Sequence, residues 1–149
     1  MSGDPTLIDA NILVYALLRE SEHYAACRTL IEGGTAHDAN LCVTSQILAE
    51  FFSVVTNPRR VSSPRTPEEA SAAIHAVLSL PGLRVLPVPE DAPIRWLQLL
   101  IRRPVRGGDI FDLQIVATML SNDVRRIVTF NRKDFLVFAE LEVLTPGIS

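Results

Sequence analysis

The sequence contains few of the residues that form zinc sites or disulfide frameworks. It has two cysteines and three histidines among its 149 residues. Cys27 and Cys42 lack the spacing of metal ligands and have apolar neighbours, which favours reduced thiols inside a core. The histidines stand singly, with no second ligand at helical spacing. We therefore predict neither a zinc site nor a disulfide.

Long apolar runs are also absent. No stretch approaches the ~18 to 20 consecutive apolar residues of a membrane span. Residues 1–5 contain none of the basic side chains that open a signal peptide. These absences predict a cytoplasmic protein that does not enter the membrane.

Lysine is almost missing from the chain. Lys133 is the sole lysine, and arginines supply the other basic side chains, with pairs at 59–60, 102–103 and 125–126. The net charge of -3 gives no general attraction to nucleic acid. Arginine pairs suit phosphate oxygens, but they are equally typical of solvated helix ends, and both interpretations stay open.

What the chain does contain is short runs of strand formers alternating with amphipathic helical patterns. The pattern predicts strands at 6–8, 41–43, 83–88, 126–130 and 141–144. It predicts helices at 11–18, 22–32, 46–55, 67–80, 91–103 and 109–120, and a turn at 131–134. This alternation predicts an α/β fold, a single domain over 1–149 with a central, mostly parallel β-sheet flanked by α-helices.

Three carboxylates stand where apolar residues are expected. Asp9 directly follows the first strand. Glu50 lies in an apolar stripe between Ile47 and Val54, and Asp112 shares a helix face with apolar residues. A carboxylate on an apolar surface is costly unless it is paired or binds a cation.

Each of these acids also has a purely structural interpretation. Glu50 can reach solvent or an arginine from the edge of its stripe. Asp109 can cap its helix, with Asp112 as partner in a capping-box-like pair, although Asp112 points along the apolar face. Asn131 and Asp134 can be ordinary turn residues.

The acids are expected to meet at one edge of the sheet. Parallel strands all end at the same edge, so Asp9 and the polar residues after the strand at 126–130 face one crevice. The helices that carry Glu50 and Asp112 begin near that edge. Crowded carboxylates repel each other and are stable together mainly beside a cation, and oxygen ligands select a hard one, Mg²⁺ or Mn²⁺.

Four segments together resemble the PIN-domain ribonucleases, most closely the VapC toxins of bacterial type II toxin–antitoxin pairs. They are LIDANILVY at 7–15, TSQILAEFF at 44–52, IFDLQIVAT at 110–118 and IVTFNRKDF at 127–135. Their order and spacing span nearly the whole chain. The resemblance implies a parallel sheet flanked by helices, an acidic metal-binding pocket, Mg²⁺- or Mn²⁺-dependent endoribonuclease activity, a cognate VapB-like antitoxin and a homodimer.

The resemblance also implies which residues form the site. Asp9, Glu50 and Asp112 match the three near-constant acids of the family, expected to be catalytic and to bind metal. A fourth acid often follows the threonine of the last segment, where this chain has Asn131. Asparagine can ligate through its carbonyl oxygen but brings no charge, so the number of metal ions stays open. We consider Asp109 a candidate additional ligand through a water molecule, which is our inference and not a family rule.

The expected reaction is metal-assisted hydrolysis of an RNA phosphodiester. Ser45 and Thr129 are candidates to orient the attacking water or a ligand carboxylate. Arg106, Arg132 and Lys133 are candidates to hold flanking phosphates.

Two other functions fit parts of the pattern. An aspartyl-nucleophile phosphatase would use a strand-ending Asp9 and a later acid such as Asp112. However, Asn11 stands where its general acid is required, and Lys133 follows the acids that it should precede. A non-catalytic, metal-stabilised interaction module of the same fold is compatible with Asn131.

Overall fold

A computed structural model describes residues 3–147 of the chain. One five-stranded sheet forms the centre of the molecule. The strands are β1 Thr6–Ile8, β2 Leu41–Val43, β3 Leu83–Val85, β4 Arg126–Val128 and β5 Glu142–Leu144. Their order is β3-β2-β1-β4-β5, and every neighbouring pair is parallel. The predicted α/β class is confirmed, and the sheet is wholly rather than mostly parallel.

Helices connect the strands and cover the sheet. Within residues 3–147 they are α1 Ala10–Tyr15, α2 Tyr24–Glu32, α3 Ser45–Val55, α4 Pro67–Leu78, α5 Ala92–Arg102, α6 Asp109–Ser121 and α7 Arg132–Leu136, with a 3-10 turn at Gly33–Thr35. Local chemistry starts several of them. The Thr44 hydroxyl accepts a hydrogen bond from the N–H of Ile47 at 3.1 Å and caps α3. Thr66 and Glu69 form a capping box at the start of α4.

The strand order reverses at β1, since β2 and β3 lie on one side of it and β4 and β5 on the other. In such a sheet, a crevice opens outside the carboxyl ends of the strands at this switch point. The register pairs Ile8 with Val128. The next residues, Asp9 and Thr129, therefore enter the crevice side by side, and the N–H of Asp9 donates to the carbonyl oxygen of Val128 at 3.1 Å.

The core lies on both faces of the central strands, as a parallel sheet covered by helices requires. Leu7, Ile8 and Ile127 have no exposed surface. Cys27 and Cys42 are buried and free, as predicted, and burial raises the pKa of the Cys27 thiol to about 11. In the described part of the chain, no helix has the length and apolar character needed to cross a membrane.

The structure corrects several predicted boundaries. Residues 131–134, predicted as a turn, lead into α7, because the residue types that favour turns also start helices. The strand predicted at 83–88 ends at Val85, where Pro87 and Pro89 follow and cannot donate to a ladder. The helix predicted at 22–32 begins at Tyr24, since the Ser21 hydroxyl accepts from the N–H of His23 at 3.1 Å before the helix starts.

Candidate active site

Asp9 is held rigidly at the end of β1. Its side chain is 4% exposed. Oδ1 accepts a hydrogen bond from the N–H of Ala10 at 2.8 Å, which caps α1, and Oδ2 accepts one from the Thr129 hydroxyl at 2.7 Å. Burial raises the pKa of Asp9, the Thr129 and Ala10 hydrogen bonds lower it, and the charge of Asp134 raises it further.

Thr129 joins the hydrogen bonds around Asp9. It is completely buried, and its hydroxyl oxygen also accepts from the N–H of Asn131 at 3.0 Å and the side-chain amide of Asn11 at 3.3 Å. The same Asn11 amide lies 3.4 Å from Oδ2 of Asp9, and its carbonyl oxygen accepts from the N–H of Phe130 at 3.3 Å. The Thr129 hydroxyl thus contacts the Asp9 carboxylate, and its orienting role stays a prediction.

Glu50 reaches the same crevice from α3. Its Oε1 accepts from the side-chain amide of Gln46, one turn earlier, at 3.1 Å. That amide also donates to the carbonyl oxygen of Phe111 at 3.0 Å, so Gln46 ties α3 to the first turn of α6. Burial raises the pKa of Glu50, the Gln46 hydrogen bond lowers it and the charge of Asp9 raises it. Glu50 forms no ion pair with any residue of the described chain, so nothing supports the arginine-paired alternative.

Asp112 lies in the first turn of α6 and has the most perturbed carboxyl group of the site. Burial raises its pKa to about 7, together with the charges of Asp9, Asp134, Glu50 and Asp109. Asp9 and Glu50 line one cavity with Asp112, and Asp109 and Asp134 line a neighbouring cavity with it. A carboxyl group with this pKa is about half protonated at neutral pH.

The capping interpretation of Asp109 and Asp112 is wrong. Helix α6 begins at Asp109 itself, and no side chain caps its first turn. Asp109 is therefore inside the helix rather than before it. Its carboxylate faces a neighbouring cavity, where its charge contributes to the raised pKa of Asp112.

Asp9, Glu50 and Asp112 line one cavity of about 250 Å³, which we call the acid pocket. Asn131, the position of the expected fourth acid, also lines it, and so does Arg60. The residues that the sequence singled out at distant positions thus meet at the switch point of the sheet. Among residues 3–147, however, no three Asp, Glu, His or Cys side chains form a ready-made metal cage.

A sequence profile described as the PIN domain matches residues 6–141, which is most of the chain. The chain belongs to the PIN-domain family. Its similar relatives include VapC ribonuclease Mb2897 of Mycobacterium bovis and ribonuclease VapC43 of Mycobacterium tuberculosis. Both are 33% identical over 116 residues, which cover 78% of this chain and 79% of the relative. Ribonuclease VapC24 of M. tuberculosis is 29% identical over 143 residues, covering 93% of this chain and 94% of the relative. This PIN domain is therefore of the VapC type.

Solved structures support the assignment of the fold. VapBC2 from Rickettsia felis, bound to a DNA fragment from its promoter, has a TM-score of 0.65 at 20% identity, covering 95% of this chain and 98% of that chain. VapC20 of M. tuberculosis, described as a sarcin-ricin loop cleaving toxin, has a TM-score of 0.65 at 17% identity, covering 91% and 98%. At these identities the likeness establishes the fold alone.

The donors of this PIN domain fit a hard divalent cation. Carboxylate oxygens are the ligands that Mg²⁺ and Mn²⁺ prefer. Burial raises the pKa of Asp9, Glu50 and Asp112, and the charge of Asp9 raises it further at Glu50 and Asp112, which is a repulsion that a cation relieves. Mg²⁺ usually keeps several waters and takes one or two carboxylates directly. A pocket without a ready-made three-residue cage is compatible with that mode of binding.

Asp134 is the acid that the sequence interpretation underrated. Its charge raises the pKa of both Asp9 and Asp112, and it lines a cavity together with Asp112. It is part of α7, and its N–H donates to the carbonyl oxygen of Asn131 at 3.1 Å. Recognising a helix start at 132 instead of a turn would have turned attention to an acid in its first turn.

The other predicted site residues are dispersed. Lys133 lines a cavity beside the acid pocket. Arg106 and Arg132 are exposed and line neither of these two cavities. Ser45 is the exposed first residue of α3, next to the cap Thr44, and forms no hydrogen bond with a carboxylate of the described chain.

Sequence reasoning missed Gln46, Arg60 and the Arg102–Arg103 pair as site residues. The spacing of Gln46 and Glu50, four residues apart on a helix, was a usable signal for the first. The arginine pairs were noticed, but nothing local distinguishes a pair beside the site from one at a solvated end. The phosphatase interpretation is not favoured, since the profile match is to the PIN domain.

Proposed function

We propose that this PIN domain is a divalent-metal-dependent endoribonuclease that acts as the toxin of a VapBC-type toxin–antitoxin pair. The observation that carries the proposal is the meeting of Asp9, Glu50 and Asp112, from three separate elements, in one cavity at the switch point of the sheet. The relatives named as VapC ribonucleases support the class of reaction. Action on RNA would place the protein in the cytoplasm.

Each residue has a proposed role in holding Mg²⁺ or Mn²⁺ and the substrate. Asp9, Glu50 and Asp112 supply charged oxygens, while Asn131 supplies a neutral one. Asp109 contributes through water. When bound, the cation supplies a Lewis acid for the phosphate and a bound water of lowered pKa.

The surrounding groups keep the carboxylates in place. The Thr129 hydroxyl fixes Oδ2 of Asp9, and the Gln46 amide fixes Oε1 of Glu50. Partners of this kind orient metal ligands and are commonly worth about 10- to 100-fold in metal affinity or activity. Asp112, with its pKa of about 7, gives up its proton when it binds a cation.

The decisive experiment measures RNA cleavage by metal-stripped protein after Mg²⁺ or Mn²⁺ is added back. Asp9→Asn and Asp112→Asn keep the size of each side chain and remove its charge. We expect each to lose about a hundredfold or more of the activity, at least the effect of losing an orienting partner. Asp123→Asn is the matched control. Its side chain is 88% exposed, its φ of 56° suits asparagine, and it precedes β4, at the opposite edge of the sheet.

The outcomes are distinct. Undiminished cleavage by folded Asp112→Asn would refute the proposed site. Stabilisation of the wild-type protein by Mg²⁺ or Mn²⁺, without cleavage of any RNA, would favour the non-catalytic interaction module. Cleavage that persists in the metal-stripped protein would refute the metal dependence.

The proposed protein partner is a VapB-like antitoxin. Structures of similar fold include complexes described as VapBC and as a toxin–antitoxin complex. An apolar cavity of about 350 Å³ between α1, α2 and α4 supports this partner, since such grooves accept amphipathic helices. Its lining includes Leu13, Leu17, Ile31, Val77 and Leu80. Copurification with a coexpressed VapB-like antitoxin, and its loss in Leu17→Glu, tests the proposal.

We also propose that the protein forms a homodimer. Helix α5 presents an exposed apolar stripe, with exposures of 60% at Ile94, 47% at Leu97 and 81% at Ile101. These positions are three and four residues apart, so they share one face. A contiguous exposed apolar face of this kind is typical of an interaction surface.

A further inference from the structure

A second cavity adjoins the acid pocket. It has a volume of about 310 Å³ and lies between the end of α5, the loop after it and α7. Asp112 lines both cavities and therefore forms their common wall. We call the second cavity the basic pocket because three cations line it, Arg102, Arg103 and Lys133.

The basic pocket has three lining cations beside three carboxylates, whereas the acid pocket has three carboxylates and one cation, Arg60. Asp109, Asp112 and Asp134 also line the basic pocket, and Asp112 lines the acid pocket as well, where the proposed cation would offset its charge. The guanidinium of Arg102 lies 3.1 Å from Oε2 of Glu140, which holds it in position. Lys133 forms no ion pair with any described residue. An RNA backbone that passes Asp112 would thus run from the proposed cation in the acid pocket to the arginine and lysine side chains of the basic pocket.

The basic pocket also has an apolar wall. Val105, Val137 and Phe138 line it, and Phe138 is 3% exposed and belongs to the core, so this wall is firmly supported. Cavities that hold single small ligands are about 300–1,000 Å³, so 310 Å³ is enough for one nucleotide unit. Proteins that recognise RNA bind mostly unpaired nucleotides, whose bases are free to lie against a protein surface.

We infer that the basic pocket binds the nucleotide next to the scissile phosphodiester of a single-stranded RNA. Arg103 and Lys133 contact its phosphate, and Val105 contacts its base. The base at this position is then one determinant of where the RNA is cut. The inference rests on the proposed ribonuclease function and assigns a substrate subsite beside its catalytic centre.

Two variants remove the phosphate contacts without touching the acids. Arg103→Ala and Lys133→Ala change exposed side chains, and Arg125→Ala, whose side chain is 57% exposed before β4, is the control for loss of one charge. The first readout is cleavage of a mixed-sequence single-stranded RNA. We expect each of the two variants to raise KM roughly tenfold with kcat nearly unchanged, because the contact positions the substrate and does not act on the reacting bond. Arg103→Lys and Lys133→Arg restore most of the KM.

The second readout is binding of the same RNA to metal-stripped protein, which does not depend on cleavage. Each phosphate contact releases counterions, so the slope of log affinity against log salt is expected to flatten by about 0.7 for each lost contact to a single strand. The third readout is the base composition at the cut. Val105→Ala is expected to change the preference at one position next to the cleaved bond, found by sequencing RNA ends.

These outcomes separate the inference from the proposed function. If the wild-type protein cleaves RNA while Arg103→Ala and Lys133→Ala behave like Arg125→Ala, the basic pocket is not a substrate subsite and the proposed function stands. If the wild-type protein cleaves no RNA, the proposed function fails, and the RNA-binding measurement alone then tests the inference. If Arg103→Ala and Lys133→Ala then bind RNA with the affinity and salt slope of the wild-type protein, the inference is overturned as well. Weaker binding and a flatter slope in these variants retain the pocket as an RNA-binding site.

Discussion

The hydroxyl of Thr129 donates a 2.7 Å hydrogen bond to Oδ2 of Asp9, joining residues 120 positions apart in the chain. The contact follows from the parallel register of β1 and β4, which sets Ile8 beside Val128. This hydrogen bond fixes the orientation of the Asp9 carboxylate, which lines the acid pocket. Its contribution is therefore measurable in metal binding rather than in folding alone.

Thr129→Val removes this hydroxyl and keeps the shape of the side chain. We expect Mn²⁺ affinity, measured by isothermal titration calorimetry, to fall about 10- to 100-fold, because orienting partners of ligands have effects of that size. Thr118→Val is the matched control, since its buried hydroxyl donates to the carbonyl oxygen of Gln114 at 3.1 Å inside α6. Equal affinity in both variants would show that Thr129 does not orient Asp9 for metal.

Gln46→Ala tests the link between α3 and α6. The amide of Gln46 bridges Oε1 of Glu50 and the carbonyl oxygen of Phe111, so its loss leaves Glu50 free to rotate. We expect Mn²⁺ affinity to fall roughly tenfold, with little change in the melting temperature. Gln114→Ala, a half-buried glutamine inside α6, is the control. A change confined to stability would contradict the orienting role.

The raised pKa of Asp112 predicts a pH dependence of stability without metal. The pKa rises from 3.8 to about 7 on folding, so the folded protein binds this proton more tightly than the unfolded chain does. Stability is then greatest below pH 4 with respect to this group, and it falls as the pH rises to about 7. Melting temperatures in a chelator should show this decline, and Asp112→Asn should flatten it.

Divalent cations should reverse that trend. Mg²⁺ binds the deprotonated carboxylate, so its stabilising effect should increase with pH up to about 7 and then level off. The measurement is the shift of melting temperature on adding Mg²⁺ at each pH. A shift of the same size at pH 5 and pH 8 would contradict the assignment of Asp112 as a ligand.

Substitutions at Asn131 and Asp134 are expected to change Mn²⁺ affinity and the pKa of Asp112 in opposite directions. Asn131→Asp adds a carboxylate to the acid pocket and should raise both the affinity for Mn²⁺ and, without metal, the pKa of Asp112. Asp134→Asn removes a charge that raises the pKa of Asp112 and should lower both quantities. Calorimetry and NMR titration measure the two effects. If both variants shifted the Mn²⁺ affinity, or the pKa of Asp112, in the same direction, the proposed effects of Asn131 and Asp134 would be refuted.

Ile101→Glu tests the proposed homodimer. Ile101 is 81% exposed on α5, and a charge within a buried apolar interface is costly. We expect the variant to sediment as a monomer at concentrations where the wild-type protein sediments as a dimer. Leu136→Glu, which changes a side chain 55% exposed on α7, is the control. A wild-type monomer at all concentrations would refute the proposal.

Local patterns in the sequence determined the strands, most of the helices and three acids of the site. Thr6–Ile8 and Leu41–Val43 are strands with the predicted bounds, because short buried strands have a distinct run of apolar residues. Asp9 and Asp112 stood out because a charge among apolar neighbours needs an explanation. The register of parallel strands then made their meeting predictable.

Only the tertiary structure decided which polar groups surround those acids. Asp134 and Asp112 line one cavity because α7 packs against α6, a placement that no local spacing encodes. The bridge from Gln46 to Phe111 and the grouping of Arg102, Arg103 and Lys133 likewise join elements far apart in the chain. Electrostatic and hydrogen-bond partners are set by distances of a few ångströms, and those distances exist only once the helices have packed.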